Sequence, residues 1–319
     1  MRIKTLIVGL GKIGMGYDYE SQNTILTHCN ATIAHNDFDL VGAVDTDSDK
    51  RHLFQSKFKK NVYNSIDQAL EVEQPELVIV SVNTSAHYDI CKGVLECKNL
   101  KAILCEKPFT SSIEEAENLH RMANMKGVKI FVNYMRNFDV ETLEFVNKLG
   151  NGNLGYPLEV VSWYTKDYFT NASHLLALSL LFMGEFKSST ILDEFPISQK
   201  NHNLNFQLKF EKGNMFFFNR NQNDYTILEM LVMGPKGKFE YLDGGKKIKE
   251  YLIGKHVDYD EKSLVLNDAK RLEINLWQKY VMQNISDYIN NGVSAKVDSL
   301  SAISVLKILK EIRSDKNEK

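Results

Sequence analysis

Four cysteines stand in 319 residues, and none of Cys29, Cys91, Cys97 and Cys105 is spaced as a CxxC pair. That argues against a disulfide framework and leaves free buried thiols as the expected state, with Cys91 and Cys97 inside one predicted helix. An excess of one charge sign is missing too: 39 Lys and Arg oppose 41 Asp and Glu, and the basic residues are spread along the chain. Such a balance carries no electrostatic footprint for nucleic acid or for an anionic membrane. Long hydrophobic runs are also absent. The longest apolar helix candidate, residues 172–183, falls far short of the roughly 20 residues that span a bilayer, and no basic-then-apolar leader opens the chain. A cytoplasmic location is expected. No repeat or low-complexity segment occurs.

What is present is an ordinary globular composition, 43% hydrophobic over a length that implies two domains. The most informative stretch is Lys-Thr-Leu-Ile-Val-Gly-Leu-Gly-Lys-Ile-Gly at 4–14, an apolar strand running into Gly9, Gly11 and Gly14. In a dinucleotide-binding fingerprint the first glycine permits the tight turn, the second lets backbone approach a pyrophosphate, and the third allows close packing. Lys12 and Ile13 share that turn and join the three glycines as cofactor-binding candidates. A second apolar run, 39–44, ends in Asp45, where a carboxylate can hydrogen-bond the adenosine ribose hydroxyls. Its charge would repel a 2′-phosphate, so NAD is the expected cofactor, while nearby Lys50 and Arg51 keep NADP open. The gap from Gly14 to Asp45 exceeds the usual spacing of about 20 residues. An inserted loop over 15–26, at the mouth of the cofactor site, is the reading, with the helix resuming near Thr27 to Ala31.

Beyond Asp45, helix-like and strand-like segments alternate as far as a strand over 129–134, which implies a doubly wound parallel sheet. Ser112 and Glu115 form a capping-box pattern before the last of these helices. The pattern then changes. Leu204, Phe206, Leu208 and Phe210 alternate with polar residues, further strands read at 159–165, 215–219, 226–233, 238–242 and 246–253, and Asp243-Gly244-Gly245 reads as a turn. Two amphipathic helices close the chain, one ending at Gly292 and one capped by Asp298. The predicted architecture is α/β: a Rossmann domain over 1–128 and an α+β domain over 129–319 built on a large, mainly antiparallel open sheet, serving substrate binding and oligomerisation.

Glu106-Lys107-Pro108 follows an apolar strand at the carboxyl end of the parallel sheet, where ligands of such folds bind. A partly desolvated Lys beside an oxidised nicotinamide loses some preference for its charged form and can exchange a proton with a substrate hydroxyl. Taken alone, Lys107 reads equally as a surface residue paired with Glu106. It does not stand alone. The turn at 9–14, Asn83-Thr84-Ser85-Ala86-His87, Glu106-Lys107-Pro108, Asn133-Tyr134-Met135-Arg136-Asn137-Phe138-Asp139 and Asn171-Ala172-Ser173-His174 resemble, in order, the signature blocks of the glucose-fructose oxidoreductase / inositol dehydrogenase / rhizopine catabolism (Gfo/Idh/MocA) family.

That resemblance implies a nicotinamide-dependent oxidoreductase acting on a carbinol or carbonyl carbon of a sugar, cyclitol or nucleotide-sugar. Lys107 maps to the active-site Lys and His174 to the active-site His, while Asn83, His87 and Glu106 line the cofactor. Substrate contacts are expected from Lys107, Tyr134, Arg136, Trp163, Lys166, Asn171 and His174. Arg136 reads otherwise as a structural ion pair, Trp163 as core and His174 as a helix residue packed on the sheet. No metal is expected, because hydride transfer needs none and the histidines lack ligand spacing. The family's carboxylates four residues before and three after the His are replaced by Thr170 and Ala177. A catalytically inactive cofactor-binding regulator or scaffold therefore stays as an alternative, as does an NAD-dependent elimination or glycosidase without net redox change. The extensive polar face of the second sheet implies, by the same likeness, a homodimer or homotetramer. The partner expected otherwise is a sugar-like small molecule, with no nucleic acid or membrane.

Overall fold

Short runs that are apolar at almost every position suit strands buried on both faces, and the computed structural model places five such runs and one shorter segment in a single parallel sheet. It describes residues 2–21, 24–196, 202–220, 225–256, 258 and 260–314. The strands are β1 (Ile3–Val8), β2 (Phe38–Val44), β3 (Asn61–Tyr63), β4 (Leu77–Val80), β5 (Ala102–Cys105) and β6 (Lys129–Val132), in the order β3-β2-β1-β4-β5-β6. The order reverses between β1 and β4. Ligands of such sheets bind outside the carboxyl ends of the strands at that reversal.

Helices α1 (His28–Ala34), α2 (Ser48–Phe58), α3 (Ile66–Glu73), α4 (Thr84–Val94) and α5 (Ile113–Met125) connect the strands. The capping box is formed: Glu115 N–H donates to Ser112 Oγ at 3.1 Å and Ser112 N–H to Glu115 Oε2 at 3.1 Å. α1 resumes at the expected place, with Thr27 as its N-cap. α4 stops at Val94, so Cys97 lies beyond the helix rather than inside it with Cys91. All four thiols are free.

The chain separates into two units, residues up to 138 with 275–303, and residues 139–274 with 304 onward. This differs from the division at 128/129 read from sequence. β6 pairs in parallel with β5, its apolar run matching the buried strands before it. The stretch 275–303 groups with the first unit through side chains: Gln283 Oε1 lies 3.1 Å from His35 Nε2, and Phe131 meets Tyr288 edge to face at 5.6 Å.

The second unit contains α6 (Val140–Gly150), β7 (Leu158–Tyr164), α7 (Ser173–Ser179), β8 (Phe186–Pro196), β9 (His202–Phe210), β10 (Gly213–Asn219), β11 (Leu228–Gly234), β12 (Gly237–Leu242), β13 (Lys247–Lys255) and β14 (Lys262–Arg271). Its sheet runs β14-β13-β12-β11-β7-β10-β9-β8, antiparallel throughout except for the pair β7 and β10. Leu204, Phe206, Leu208 and Phe210 are buried as their alternation requires, and Phe206 stacks on Phe217 with ring centroids 4.5 Å apart. An aromatic pair of this kind contributes about 0.5–1.5 kcal/mol beyond its area burial. β3, β8 and β14 carry no clear sequence signal, and β14 is largely exposed, so no hydrophobic alternation marks it; α6, absent from the sequence-based expectation, does carry one, an Asp139 N-cap followed by buried Thr142, Phe145, Val146 and Leu149 at helical spacing. The chain closes with α8 (Trp277–Asn291), capped by Gly292 at φ 68°, and α9 (Ser299–Ser314), where Ser301 N–H donates to Asp298 Oδ1 at 3.1 Å.

Candidate functional site

The glycine turn is shaped by its neighbours. Gly9 has φ 98°, and a Cβ there would come within 2.6 Å of Ser81 O, so only glycine fits. A Cβ at Gly14 would approach Gly9 O to 2.1 Å. At Gly11 the opposite holds: a side chain would meet nothing within 4 Å, which leaves a bare stretch of backbone facing open space. Lys12 is exposed on this turn, and the Ile13 carbonyl accepts from the first residue of α1.

Asp45 closes the turn from the side. Its Oδ2 accepts from Leu10 N–H at 2.7 Å and its Oδ1 from Asp47 N–H at 2.9 Å. Lys50 Nζ stands 4.0 Å from the same carboxylate, and Arg51 donates to the carbonyls of Asp45 and Thr46 at 2.8 and 2.9 Å. The residues fit a dinucleotide: bare backbone where a pyrophosphate would lie and a held carboxylate where a ribose would. Arg51 is engaged by carbonyls, while Lys50 stands between the carboxylates of Asp45 and Asp47, 3.7 Å from the latter.

At the ends of β4 and β5 the structure brings together more than the sequence indicated. Asn83 is the N-cap of α4, exposed, and makes no side-chain capping bond. His87 takes a different position from the cofactor-lining one expected. Its Nδ1 lies 3.0 Å from Pro108 O and 3.1 Å from Phe109 O, and its Nε2 lies 3.1 Å from Val82 O. Both ring nitrogens face main-chain carbonyls, so His87 braces the loop after β4 against the loop after β5.

Glu106 is the centre of a buried polar group. Its Oε1 is 2.9 Å from His28 Nε2 and accepts from Asn133 Nδ2 at 2.6 Å, while its Oε2 accepts from Lys107 N–H at 3.3 Å. Asn133 also donates to Gln278 Oε1 at 3.3 Å. Burial pushes the Glu106 carboxyl up, but the hydrogen bond and charge of His28, the amide of Asn133 and the charge of Lys107 outweigh it and hold the group below the ordinary carboxylate range. Lys107 itself is half-buried. His28 and Gln278 lie 78 residues before Glu106 and 145 residues after Asn133, and no local pattern points to either.

Two neighbouring candidates are tied up by packing. Tyr134 is 1% exposed, so its ring presents no open stacking face. Arg136 lies over the Trp277 ring at 4.9 Å, a cation–π contact that takes one face of the guanidinium.

The remaining candidates belong to the second unit. After β7 the chain turns at Lys166, exposed and held at φ 62°, a left-handed conformation that costs a non-glycine residue about 1–2 kcal/mol. Asn219 Nδ2 donates to Lys166 O at 2.8 Å and Asn171 Nδ2 to Thr165 O at 2.8 Å, so both amides stabilise this turn. Asp167 caps the following π-helical turn, accepting from Thr170 N–H at 2.9 Å and Thr170 Oγ1 at 2.5 Å. His174 follows on α7, 5% exposed.

Trp163 departs from expectation. Ser162 and Tyr164 point to the face that α7 covers, where Ser179 Oγ donates to the sulfur of Met230, the register partner of Ser162. Side chains alternate along a strand, so Trp163 stands on the opposite face from His174.

Comparison with known proteins agrees with this architecture. Residues 3–134 match the model of the Gfo/Idh/MocA oxidoreductase family, NAD-binding Rossmann fold. The chain is 30% identical over 185 residues to an uncharacterized oxidoreductase, C26H5.09c, of Schizosaccharomyces pombe, covering 58% of this chain and 45% of that one. It is 26% identical over 157 residues to the scyllo-inositol 2-dehydrogenase (NAD(+)) of Bacillus subtilis, covering 49% and 43%. The matches thus span less than half the length of these curated relatives. In fold the likeness extends along the whole chain: a super-repressor mutant of Gal80p from Saccharomyces cerevisiae superposes with a TM-score of 0.78 at 14% identity, covering 98% of this chain and 96% of that one.

Proposed function

We propose that this protein is a cytoplasmic oxidoreductase that moves hydride between nicotinamide and a carbinol or carbonyl carbon of a cyclitol, sugar or nucleotide-sugar, with NAD as the preferred cofactor. The observation that carries the reading is the pairing of a dinucleotide-shaped glycine turn, closed by Asp45, with a Glu106–Lys107 pair at the carboxyl end of the neighbouring strands. When bound, the nicotinamide supplies the hydride acceptor or donor. Gly9 to Gly14 leave backbone bare for the pyrophosphate, and Asp45 holds the ribose and disfavours a 2′-phosphate. Lys107 holds and polarises the substrate oxygen, and His174 exchanges the hydroxyl proton. Lys166 and Asn171 shape the turn before His174. The likeness to an NAD-dependent inositol dehydrogenase supports the cyclitol end of the substrate range.

A second reading, a cofactor-binding regulator without turnover, is favoured by Thr170 and Ala177, positions where family members carry carboxylates, and by the engagement of Asp167 in capping. The test is to titrate NADH and NADPH by fluorescence and then to follow NAD reduction with a panel of inositols, hexoses and nucleotide-sugars. Binding with reduction supports the enzyme, and binding without turnover of any panel member supports the regulator. We extend the same reading to a homodimer or homotetramer formed through the outward face of the second sheet, which light scattering reads directly.

A further inference from the structure

The helix after the glycine turn is interrupted and then rejoined in register. His28 N–H donates to Ile13 O and Cys29 N–H to Gly14 O, each at 3.0 Å. In an uninterrupted α-helix those carbonyls bond the fourth residue onward, which would be residues 17 and 18. Tyr17 N–H still donates to Lys12 O at 2.8 Å, so His28 takes the next place on the ladder after Tyr17 and the segment between them leaves it. The loop is tied at its base by Asp18, 2% exposed, which accepts from Leu26 N–H at 2.6 Å, Thr27 N–H at 3.2 Å and Thr27 Oγ1 at 2.6 Å. Tyr19 fastens it to α2 by donating to Leu53 O at 3.1 Å, with Lys57 over its ring at 4.8 Å.

The rejoined register delivers the His28 imidazole to the Glu106 carboxylate at 2.9 Å. His28 is 1% exposed, and its Nδ1 is buried with no hydrogen-bond partner among the described residues. An unpaired buried nitrogen costs free energy that an apolar side chain of similar shape would avoid. Packing alone thus gives no reason for an imidazole here, and the bond made by Nε2 does.

We propose that His28 is a positioning residue of the cofactor site: its Nε2 fixes the Glu106 carboxylate, and through it the backbone of Lys107, in the arrangement that accepts the dinucleotide. The inference rests on the cofactor reading above. A buried carboxylate stays ionised and in one orientation only while its donors are in place, and His28 and Asn133 share the same oxygen.

The test is a double-mutant cycle read by NADH fluorescence titration, with thermal unfolding of each cofactor-free protein measured alongside. His28→Leu and Glu106→Gln are each expected to weaken NADH binding about tenfold or more, the scale for losing a charge-assisted hydrogen bond. The double variant should bind no worse than the weaker single one, and His28→Gln, which keeps a donor near the Nε2 position, should stay within about threefold of wild type. NADH affinity unchanged in a folded His28→Leu variant, losses that multiply in the double variant, or no rescue by glutamine would each overturn the inference while leaving the cofactor reading intact. A wild-type protein that binds neither NADH nor NADPH overturns both.

Discussion

Leu10 N–H donates to Asp45 Oδ2 at 2.7 Å, so the carboxylate that ends β2 also secures the glycine turn that leaves β1. One residue thereby supports the phosphate end and the ribose end of the proposed dinucleotide site.

Replacing Asp45 with Ser removes the charge that disfavours a 2′-phosphate and weakens the tie to Leu10. NADH should bind more weakly in Asp45→Ser, and the ratio of NADPH to NADH affinity should rise, with Lys50 as the remaining cation. Parallel fluorescence titrations measure this. A wild type that already prefers NADPH would move the ribose assignment to Lys50.

Lys107→Ala and His174→Ala should each leave NADH affinity within a few fold and lower turnover by about 10² or more, the scale for a positioned proton-transfer group. Steady-state rates at saturating cofactor, on whichever panel substrate is active, decide the point. Activity lost only in Lys107→Ala would make Lys107 the acid/base and leave His174 a packed helix residue. Trp163→Ala provides the contrast: it lies on the other face of the second sheet and should leave turnover close to wild type.

The depressed pKa of Glu106 predicts a pH window. A carboxyl held below its ordinary range stabilises the fold at every pH above its unfolded value of about 4.3, and that contribution disappears as pH falls through the lower, folded value. The unfolding temperature of Glu106→Gln should therefore trail wild type at neutral pH, with the gap narrowing below about pH 4. A gap that persists unchanged into strong acid would show that the charge is not what stabilises.

Native thiol titration should find one reactive cysteine. Cys29, Cys91 and Cys105 are fully buried, and burial pushes the thiols of Cys29 and Cys105 well above their usual range. Cys97 is partly exposed. Only the thiolate reacts, so a chromogenic disulfide should modify Cys97 quickly and the other three only after denaturation; Cys97→Ser should abolish the fast phase.

Much of the fold and part of the candidate site could be read from local pattern. Near-continuous apolar runs alternating with capped helices specify a parallel sheet, because only strands covered on both faces keep every position apolar. Gly9 is marked by its φ of 98°, Gly14 by the approach of Gly9 O five residues away, and the carboxylate at the end of β2 is visible as Asp45. These features have short-range causes.

The partners of Glu106 have none. His28 reaches it only because the segment between Tyr17 and His28 leaves the helix register intact, and Gln278 arrives from a segment that returns to the first unit after the whole second sheet. The side of the sheet on which Trp163 falls, the use of both His87 nitrogens by main-chain carbonyls and the stacking of Arg136 on Trp277 depend likewise on which elements become neighbours. Periodicity, caps and turn residues determine what each segment becomes, since they act over a few residues. Strand order and helix return determine which side chains meet, because hydrogen bonds and packing act over a few ångströms whatever the distance along the chain.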